Sequence, residues 1–350
     1  MTVSGWVFLL NMSLPLIACA QAAAYSINDS GTPASRDGDV AWLDNHRVVF
    51  YQLNVSKNKE RRALEPFIWD TVNKSVSRYP ALQGSAKVRV CGEFVSYIRR
   101  KPGIENEWLL VYGTIRDGQI VEDQVNDFPN PSAMNPFSCR YYTHPYPWTV
   151  KGRKTNPLLE AHGYLDSGSG DQFSKVERSW TLYRPGIPEG VPLPLPGGIG
   201  GPMGFAPFRN AYLFVSLSYR DPVTGKLQES TEWPKGKPMS AWWLTPEGKV
   251  TEESIPYHPF MSRDARDFLP VKGGVFAWSH AVGLGTSLAE AGGYLAHAGM
   301  IDKVIAGLVH KPVVSPDGCR VAFVHEAQFP TDPAHGVLKI LNVCDGGAHE

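Results

Sequence analysis

The sequence of 350 residues predicts an all-β protein. Its 34 glycines and 29 prolines mark many turns, while 10 tryptophans, 14 tyrosines and 15 phenylalanines favour strands. Between the turns, apolar residues recur in short runs, and few windows show the period of an amphipathic helix. Because 43% of the residues are hydrophobic, the chain can form a sizeable core, which excludes a wholly disordered protein.

The charges are balanced, with 34 basic and 34 acidic residues. Proteins that bind nucleic acid through a charged face carry an excess of lysine and arginine. The net charge therefore gives no support to nucleic-acid binding, and we expect none.

Residues 1–24 have the pattern of a secretory signal peptide. An apolar run over residues 7–18 is too short to span a bilayer and is followed by the A-x-A pattern of Ala20 to Ala22. We therefore expect an exported protein in the periplasm, or a secreted one as the alternative, in a compartment where disulfides form.

Two maturation routes fit this segment. Residues 16–19 look like a bacterial lipobox, in which Cys19 is lipidated and anchors the protein to the outer membrane, facing the periplasm. The alternative is ordinary cleavage after Ala22 or Ala24. Residues 25–38 are rich in Ser, Gly, Asp and Pro and predict a flexible tether.

From Val40 onward, apolar strand patterns alternate with turns in successive units. The strand patterns of the first five units are 40–54, 67–72 and 75–80; 87–100, 107–115 and 119–123; 162–168, 175–186 and 191–195; 210–221, 239–248 and 249–256; and 273–280, 292–299 and 303–310. The first two units each span roughly 40 residues, the period of a four-stranded propeller blade.

The sixth unit, residues 313–344, contains a tight-turn signal at residues 315–318 followed by a strand pattern from Cys319. A second strand pattern, residues 337–343, ends next to Cys344, so the two segments predict an antiparallel pair. The ends that carry the cysteines would lie side by side, and a Cys319–Cys344 disulfide is expected, with two separate thiols as the alternative.

At these residues the chain resembles the TolB-like, WD-type propeller blades of bacterial envelope proteins, in which an S-P-D-G turn precedes a strand. Here the turn is Ser315 to Gly318 and the strand is Arg320 to Val324. The resemblance implies a β-propeller, and the six units counted along the chain predict six four-stranded blades over residues 39–350. Seven blades, or an inserted loop domain at residues 125–160, are the alternatives. The sixth unit lacks one strand, which an N-terminal strand commonly supplies in propellers.

The remaining cysteines, Cys91 and Cys139, are expected to form a second disulfide, since pairing is the default in an exported chain. Metal binding is the rival interpretation, but the sequence has no C-x-x-C or H-x-x-x-H spacing. We therefore predict neither a metal nor a cofactor.

The only candidate ligand-binding residues lie in a loop rich in aromatic residues and prolines. They are Tyr141, Tyr142, His144, Tyr146 and Trp148. Exposed aromatic residues on a loop can stack on a ligand, and a loop packed only on itself is the alternative.

The sequence predicts a binding or scaffolding module for an envelope protein or peptide and contains no catalytic motif such as G-x-S-x-G. The alternative is a propeller hydrolase or lyase acting on glycans or peptides. That enzyme would need acids that converge at the mouth of the channel. The candidates are Asp44, Asp166, Asp264 and Asp267.

Overall fold

The computed structural model describes most of the chain from Tyr25 to Cys344. The described ranges are 25–55, 62–91, 94–104, 107–128, 148–149, 164–166, 180–184, 187–195, 204–215, 219–221, 223–228, 239–245, 247–255, 268–278, 291–297, 300–327 and 336–344. Within these ranges the regular structure consists of strands and two 3₁₀ turns, Pro80–Leu82 and Pro207–Arg209.

The strands of the described residues form six four-stranded sheets and one small hairpin. The first strand of the chain is β1 (Ser26–Ala34). Blade 1 consists of β2 (Ala41–Trp42), β3 (Arg47–Val55), β4 (Arg62–Asp70) and β5 (Ser75–Arg78). Blade 2 consists of β6 (Ser85–Cys91), β7 (Phe94–Arg100), β8 (Trp108–Arg116) and β9 (Gln119–Phe128). Sheet 3 consists of β10 (Trp148–Thr149), β11 (Tyr164–Asp166), β12 (Thr181–Arg184) and β13 (Ile187–Pro192).

The remaining sheets follow in chain order. Blade 4 consists of β14 (Gly204–Ala206), β15 (Ala211–Val215), β18 (Met239–Leu244) and β19 (Val250–Ile255), and the hairpin β16 (Tyr219–Arg220) with β17 (Leu227–Gln228) lies in its β15–β18 connection. Blade 5 consists of β20 (Phe268–Val271), β21 (Gly274–Trp278), β22 (Gly292–His297) and β23 (Met300–Ala306). Blade 6 consists of β24 (Leu308–Val314), β25 (Arg320–Glu326), β26 (Gly336–Asn342) and the N-terminal strand β1.

This arrangement confirms the predicted all-β propeller with four-stranded blades. The described residues form six four-stranded sheets, but only five of them are fully antiparallel blades, one fewer than the six predicted. In sheet 3 the two-residue strand β10 pairs with β11 in parallel, so this sheet departs from the meander of the others. The third unit therefore differs from a regular blade.

The N-terminal strand closes the ring. β1 pairs antiparallel with β26, from Ser26 opposite Asn342 to Ala34 opposite Gly336, and supplies the fourth strand that the sixth unit lacked. The prediction of a flexible tether over residues 25–38 is therefore wrong for Ser26–Ala34, because the free edge of β26 provides backbone partners that override a polar, Gly- and Pro-containing sequence.

The core lies between neighbouring blades. On β25, Ala322 and Val324 pack toward blade 1, while Val321 and Phe323 pack toward blade 5. Successive side chains of this strand thus point to opposite neighbours, and both of its faces are buried because a blade stacks on each side. Similar apolar clusters join blade 1 to blade 2, sheet 3 to blade 4, and blade 4 to blade 5.

The boundary between blades 5 and 6 lies at Gly307. Residues 303–310 read as one strand in the sequence, but β23 ends at Ala306 and β24 begins at Leu308. Gly307 has φ +99°, and a Cβ there would lie 2.6 Å from the carbonyl oxygen of Glu326. Only glycine can make this reversal without strain, so one apparent strand serves two blades.

Candidate functional site

The two ends of the blades carry different connections. At one end, here called the short-turn face, strand 1 leads to strand 2 and strand 3 to strand 4 through turns such as residues 43–46, 71–74, 117–118, 272–273 and 315–319. At the other end, the long-connection face, strand 2 leads to strand 3 through segments such as residues 101–107, 216–238, 279–291 and 327–335. Ligand contacts in rigid scaffolds concentrate on such long connections.

The turn Ser315–Gly318 on the short-turn face is closed around the carboxylate of Asp317. Its Oδ1 accepts hydrogen bonds from Ser315 Oγ at 2.5 Å and from Cys319 N at 3.0 Å, and its Oδ2 accepts from Arg320 Nη2 at 3.0 Å. Burial alone would raise the pKa of Asp317, but these hydrogen bonds and the Arg320 charge outweigh it and lower the pKa. The turn is therefore held most firmly when Asp317 is ionised.

The same turn contacts three other blades. The N–H of Asp317 donates to Asn45 Oδ1 of blade 1 at 2.9 Å, and the carbonyl oxygen of Gly318 accepts from the N–H of Lys272 of blade 5 at 2.9 Å. A Cβ at Gly318 would lie 2.4 Å from Phe208 Cδ1 of blade 4, so the phenyl ring packs directly on the glycine. The predicted tight turn is thus a junction between blades as well as a connection within one.

Asp44, one of the four acids considered for an enzyme, lies in the blade 1 turn on this face. Its Oδ1 accepts from the N–H groups of His46 at 2.7 Å and Arg47 at 2.8 Å, and its Oδ2 accepts from Arg47 Nε at 2.7 Å. Burial raises the pKa of Asp44, but these bonds outweigh it and lower the pKa. Arg47 also donates to the Asp117 carbonyl oxygen at 2.9 Å. Asp44 therefore holds the Arg47 side chain in the position from which it bonds blade 2.

A cavity of about 420 Å³ opens on the short-turn face between blades 4, 5 and 6. Its walls are the 3₁₀ turn of blade 4, the β20–β21 turn of blade 5 and the Ser315–Gly318 turn of blade 6. The lining residues are Phe208, Arg209, Glu253, Val271, Lys272, Gly273, Gly274 and Asp317. This volume lies within the range of small-molecule sites.

One wall of this cavity is a charged and aromatic stack from blade 4. Arg209 Nη1 lies 2.7 Å from Glu253 Oε2, and its guanidinium carbon is 4.2 Å from the centroid of the Trp243 ring. Trp243 Nε1 donates to the same Glu253 oxygen at 2.7 Å. The three side chains hold one another in place, and the guanidinium charge is largely offset by the carboxylate.

On the long-connection face, the segment from Ser35 to Val40 crosses from blade 6 to blade 1. Its Ser35 N–H donates to the Tyr51 carbonyl oxygen of β3 at 2.8 Å. Asp39 accepts from the Val88 N–H at 2.9 Å and pairs with Arg89 Nη1 at 2.7 Å, both on β6 of blade 2. The chain that leaves the closing strand thus also ties the first two blades together.

A buried carboxylate lies beneath this crossing segment. Glu326, at the end of β25, has a side chain only 1% exposed, and its Oε2 lies 3.0 Å from His310 Nε2 and 3.8 Å from Arg36 Nη1. A carboxylate and an imidazole in contact are typical of acid–base sites. Because Glu326 is enclosed, we interpret this pair as structural.

The neighbouring His325 also has a structural arrangement. Its Nε2 lies 2.7 Å from the Ala306 carbonyl oxygen, so this nitrogen carries the proton and donates. Burial lowers the pKa of His325 more than this hydrogen bond raises it, which favours the neutral imidazole.

The disulfide between Cys319 and Cys344 is confirmed, with the two Cα atoms 5.1 Å apart. The Val343 N–H donates to the Cys319 carbonyl oxygen at 2.9 Å, so the start of β25 and the end of β26 are paired at this point. The bridge therefore closes the hairpin that the sequence predicted.

The other predicted site residues lie largely outside the described residues. These are Cys19, Cys139, Tyr141, Tyr142, His144, Tyr146, Asp264 and Asp267. Cys91 ends β6, Trp148 begins β10 and Asp166 ends β11, and only their backbone is described. The second disulfide and the aromatic ligand site stay predictions.

The sequence did not reveal the cavity or the Glu326 cluster. Arg209 and Phe208 belong to an irregular segment that contains no strand pattern, and Arg36 was placed in the tether. The one local signal is Asn210, which takes a left-handed conformation with φ +45° after the 3₁₀ turn, as asparagine does more readily than most residues.

Among the described residues, no group of three or more His, Cys, Asp or Glu side chains is arranged to hold a metal ion. Nor does that part of the chain include a helix long and apolar enough to cross a membrane.

No protein-family model matches the sequence, and neither does any curated protein. Several solved structures are similar at low identity. An acylaminoacyl peptidase of Pyrococcus horikoshii is 8% identical with a TM-score of 0.32, over 85% of this chain and 44% of the peptidase. The β-propeller domain of the Trilobed protease from Pyrococcus furiosus is 8% identical with a TM-score of 0.30, over 84% of this chain and 79% of that domain.

TolB from Acinetobacter baumannii is 11% identical with a TM-score of 0.36, over 87% of this chain and 65% of TolB. The chain spans less than half the length of the Pyrococcus horikoshii peptidase that it matches. At these identities and scores, neither an activity nor a partner is transferred to this chain.

Proposed function

We propose that this protein is an exported, periplasm-facing β-propeller that binds an envelope protein or peptide through its long-connection face. The observation that carries the proposal is the contrast between the two faces. The turns of the short-turn face are bonded to one another across blades, whereas the opposite face carries the long segments between strands 2 and 3. A rigid scaffold with long connections at one end is the usual construction of a propeller binding surface.

The hairpin of β16 and β17 supports the proposal, because it holds an apolar side chain in solvent on this face. Asp221 Oδ1 accepts from the N–H groups of Val223 at 2.9 Å and Thr224 at 2.8 Å, and the Asp221 N–H donates to the Lys226 carbonyl oxygen at 2.9 Å. Val223 at the tip is 91% exposed. An apolar side chain held in solvent by a closed turn loses little conformational entropy when a partner covers it.

Site-specific photocrosslinking in intact cells tests the proposal. A photoreactive phenylalanine analogue at position 223 should give a discrete crosslinked species, whose partner is then identified by mass spectrometry. Val72 is the matched control, because it is also an exposed valine (64%) but lies in a turn of the short-turn face. Equal crosslinking from both positions, or crosslinking from position 72 alone, would contradict the proposal.

The proposed location rests on the N-terminal sequence pattern and is tested separately. If Cys19 is lipidated, the protein should fractionate with membranes, and Cys19→Ser should release it into the soluble periplasmic fraction. A wild-type protein that is already soluble, with a mature N-terminus at Ala23 or Tyr25, would instead establish ordinary cleavage.

A further inference from the structure

We propose that the cavity on the short-turn face is a binding site for a small organic anion, in which Lys272 receives the anionic group and Phe208 contacts an apolar part of the ligand. This site is on the face opposite the proposed partner surface, so it is a second and independent binding function. Three properties of the cavity favour such a ligand: its preformed shape, its charge and its mixed lining.

The shape is fixed by backbone hydrogen bonds in each of the three turns that form the walls. In the turn of blade 4 the Asn210 N–H donates to the Pro207 carbonyl oxygen at 3.1 Å. The Lys272 N–H donates to the Gly318 carbonyl oxygen at 2.9 Å, and the Gly318 N–H to the Ser315 carbonyl oxygen at 2.9 Å. A site held in this way needs little reorganisation when a ligand enters, which favours binding.

The charge follows from the partners of the lining residues. Arg209 is paired with Glu253 at 2.7 Å, and Asp317 is paired with Arg320 at 3.0 Å. No ion pair joins the exposed Lys272 to any other residue that the structure describes. The cavity therefore has one positive charge that its own walls do not neutralise, and an anion is the complementary ligand.

The lining also has an apolar part. Phe208 is half-buried, with its ring held against Gly318, and it lines the cavity. An inorganic anion would gain nothing from this ring, whereas an anion attached to a ring or a short aliphatic group would cover its exposed part. A volume of about 420 Å³ accommodates such a molecule.

Benzoate is a suitable probe, and benzamide is its uncharged counterpart of nearly the same shape. Binding of each to the purified protein is measured by titration followed with ligand-observed NMR, for the wild type, Lys272→Gln and Lys226→Gln. Lys226 is an exposed lysine in the β16–β17 hairpin and controls for the loss of one positive charge. Glutamine keeps the N–H of residue 272 that bonds Gly318.

We expect saturable benzoate binding that is about tenfold weaker in Lys272→Gln, because one charge-assisted contact is lost, and unchanged in Lys226→Gln. Benzamide should bind about tenfold more weakly than benzoate to the wild type. Equal binding of benzoate and benzamide, or benzoate binding that Lys272→Gln leaves unchanged, would overturn the proposal. Failure to detect saturable benzoate binding to the wild type would overturn it as well.

Discussion

The side-chain oxygen of Asn45 accepts a hydrogen bond from the backbone N–H of Asp317 at 2.9 Å, and this bond joins the first blade to the last. The two residues are 272 positions apart in the chain. At the outer edge of the boundary between blades 6 and 1, β1 completes blade 6. The ring is therefore closed both by a strand at the rim and by a side chain between the turns that follow the innermost strands.

Replacing Asn45 with alanine should lower the free energy of unfolding by about 1 kcal/mol, because the partly buried Asp317 N–H loses its acceptor. The measurement is urea unfolding followed by fluorescence. Asn54→Ala is the matched control, since Asn54 Nδ2 donates at 2.8 Å to Glu65, a residue of the same blade, on the surface. That control should change stability by less than about 0.5 kcal/mol. A larger loss for Asn54→Ala than for Asn45→Ala would contradict a stabilising role for the hydrogen bond between blades 1 and 6.

The Gly307→Ala variant should destabilise the protein by more than Gly84→Ala. Both glycines have positive φ, +99° and +71°, and both substitutions strain the backbone. At Gly307 the new Cβ would also lie 2.6 Å from the Glu326 carbonyl oxygen, whereas at Gly84 nothing lies within 4 Å. We expect a loss of about 1 kcal/mol for Gly84→Ala and about 3 kcal/mol for Gly307→Ala, measured by denaturant unfolding. Equal losses would show that the boundary between blades 5 and 6 tolerates a side chain.

Loss of the Cys319–Cys344 disulfide should lower the melting temperature by several degrees. The cysteines are separated by 25 positions, and chain entropy gives a stabilisation of about 3 kcal/mol for a loop of this length. The comparison is wild type against the double variant Cys319→Ser and Cys344→Ser under non-reducing conditions, which leaves Cys91 and Cys139 unaltered. Peptide mapping without reduction should recover Cys319 linked to Cys344. Recovery of Cys319 linked to Cys91 or Cys139 would contradict the pairing.

Acid should destabilise the wild type more than the Asp317→Asn variant. The pKa of Asp317 is lowered in the folded protein, so the unfolded chain binds a proton more readily at this position. Its contribution to stability is complete above the ordinary aspartate pKa of about 4 and is lost as the pH falls through the lowered value. The free energy of unfolding, measured between pH 7 and pH 2, should therefore fall less steeply below about pH 4 in Asp317→Asn.

Asp123→Asn is the control for this pH dependence, because Asp123 is an exposed residue of β9 and the change in net charge is the same. Its stability curve should follow that of the wild type. If Asp317→Asn also follows the wild-type curve, the carboxylate does not hold the turn.

Features that depend on neighbours in the sequence were predictable. The turn at residues 315–318 lies where Ser, Pro, Asp and Gly indicated it, because those residues carry the backbone preferences of turns. The Cys319–Cys344 bridge was also predictable, because the two cysteines flank strands that are adjacent in the chain and pair as one hairpin. The four-stranded blades followed from strand periodicity together with the resemblance at residues 315–324.

The parts that could not be predicted depend on residues far apart in the chain. Most residues of Ser26–Ala34 favour turns, and the segment forms a strand because β26 has an unpaired edge. The break at Gly307 follows from the position of the Glu326 carbonyl oxygen, which the sequence of residues 303–310 does not contain.

The sequence by itself determined the class of fold, the positions of the tight turns and one disulfide, because each follows from local conformational preference or from strands adjacent in the chain. Only the tertiary structure decided which strand closes the ring, which carboxylates are enclosed and where a cavity opens. Arg209, Lys272 and Asp317 come from three different blades and line that cavity together. Their proximity is a property of the way the blades stack, which strand periodicity does not encode.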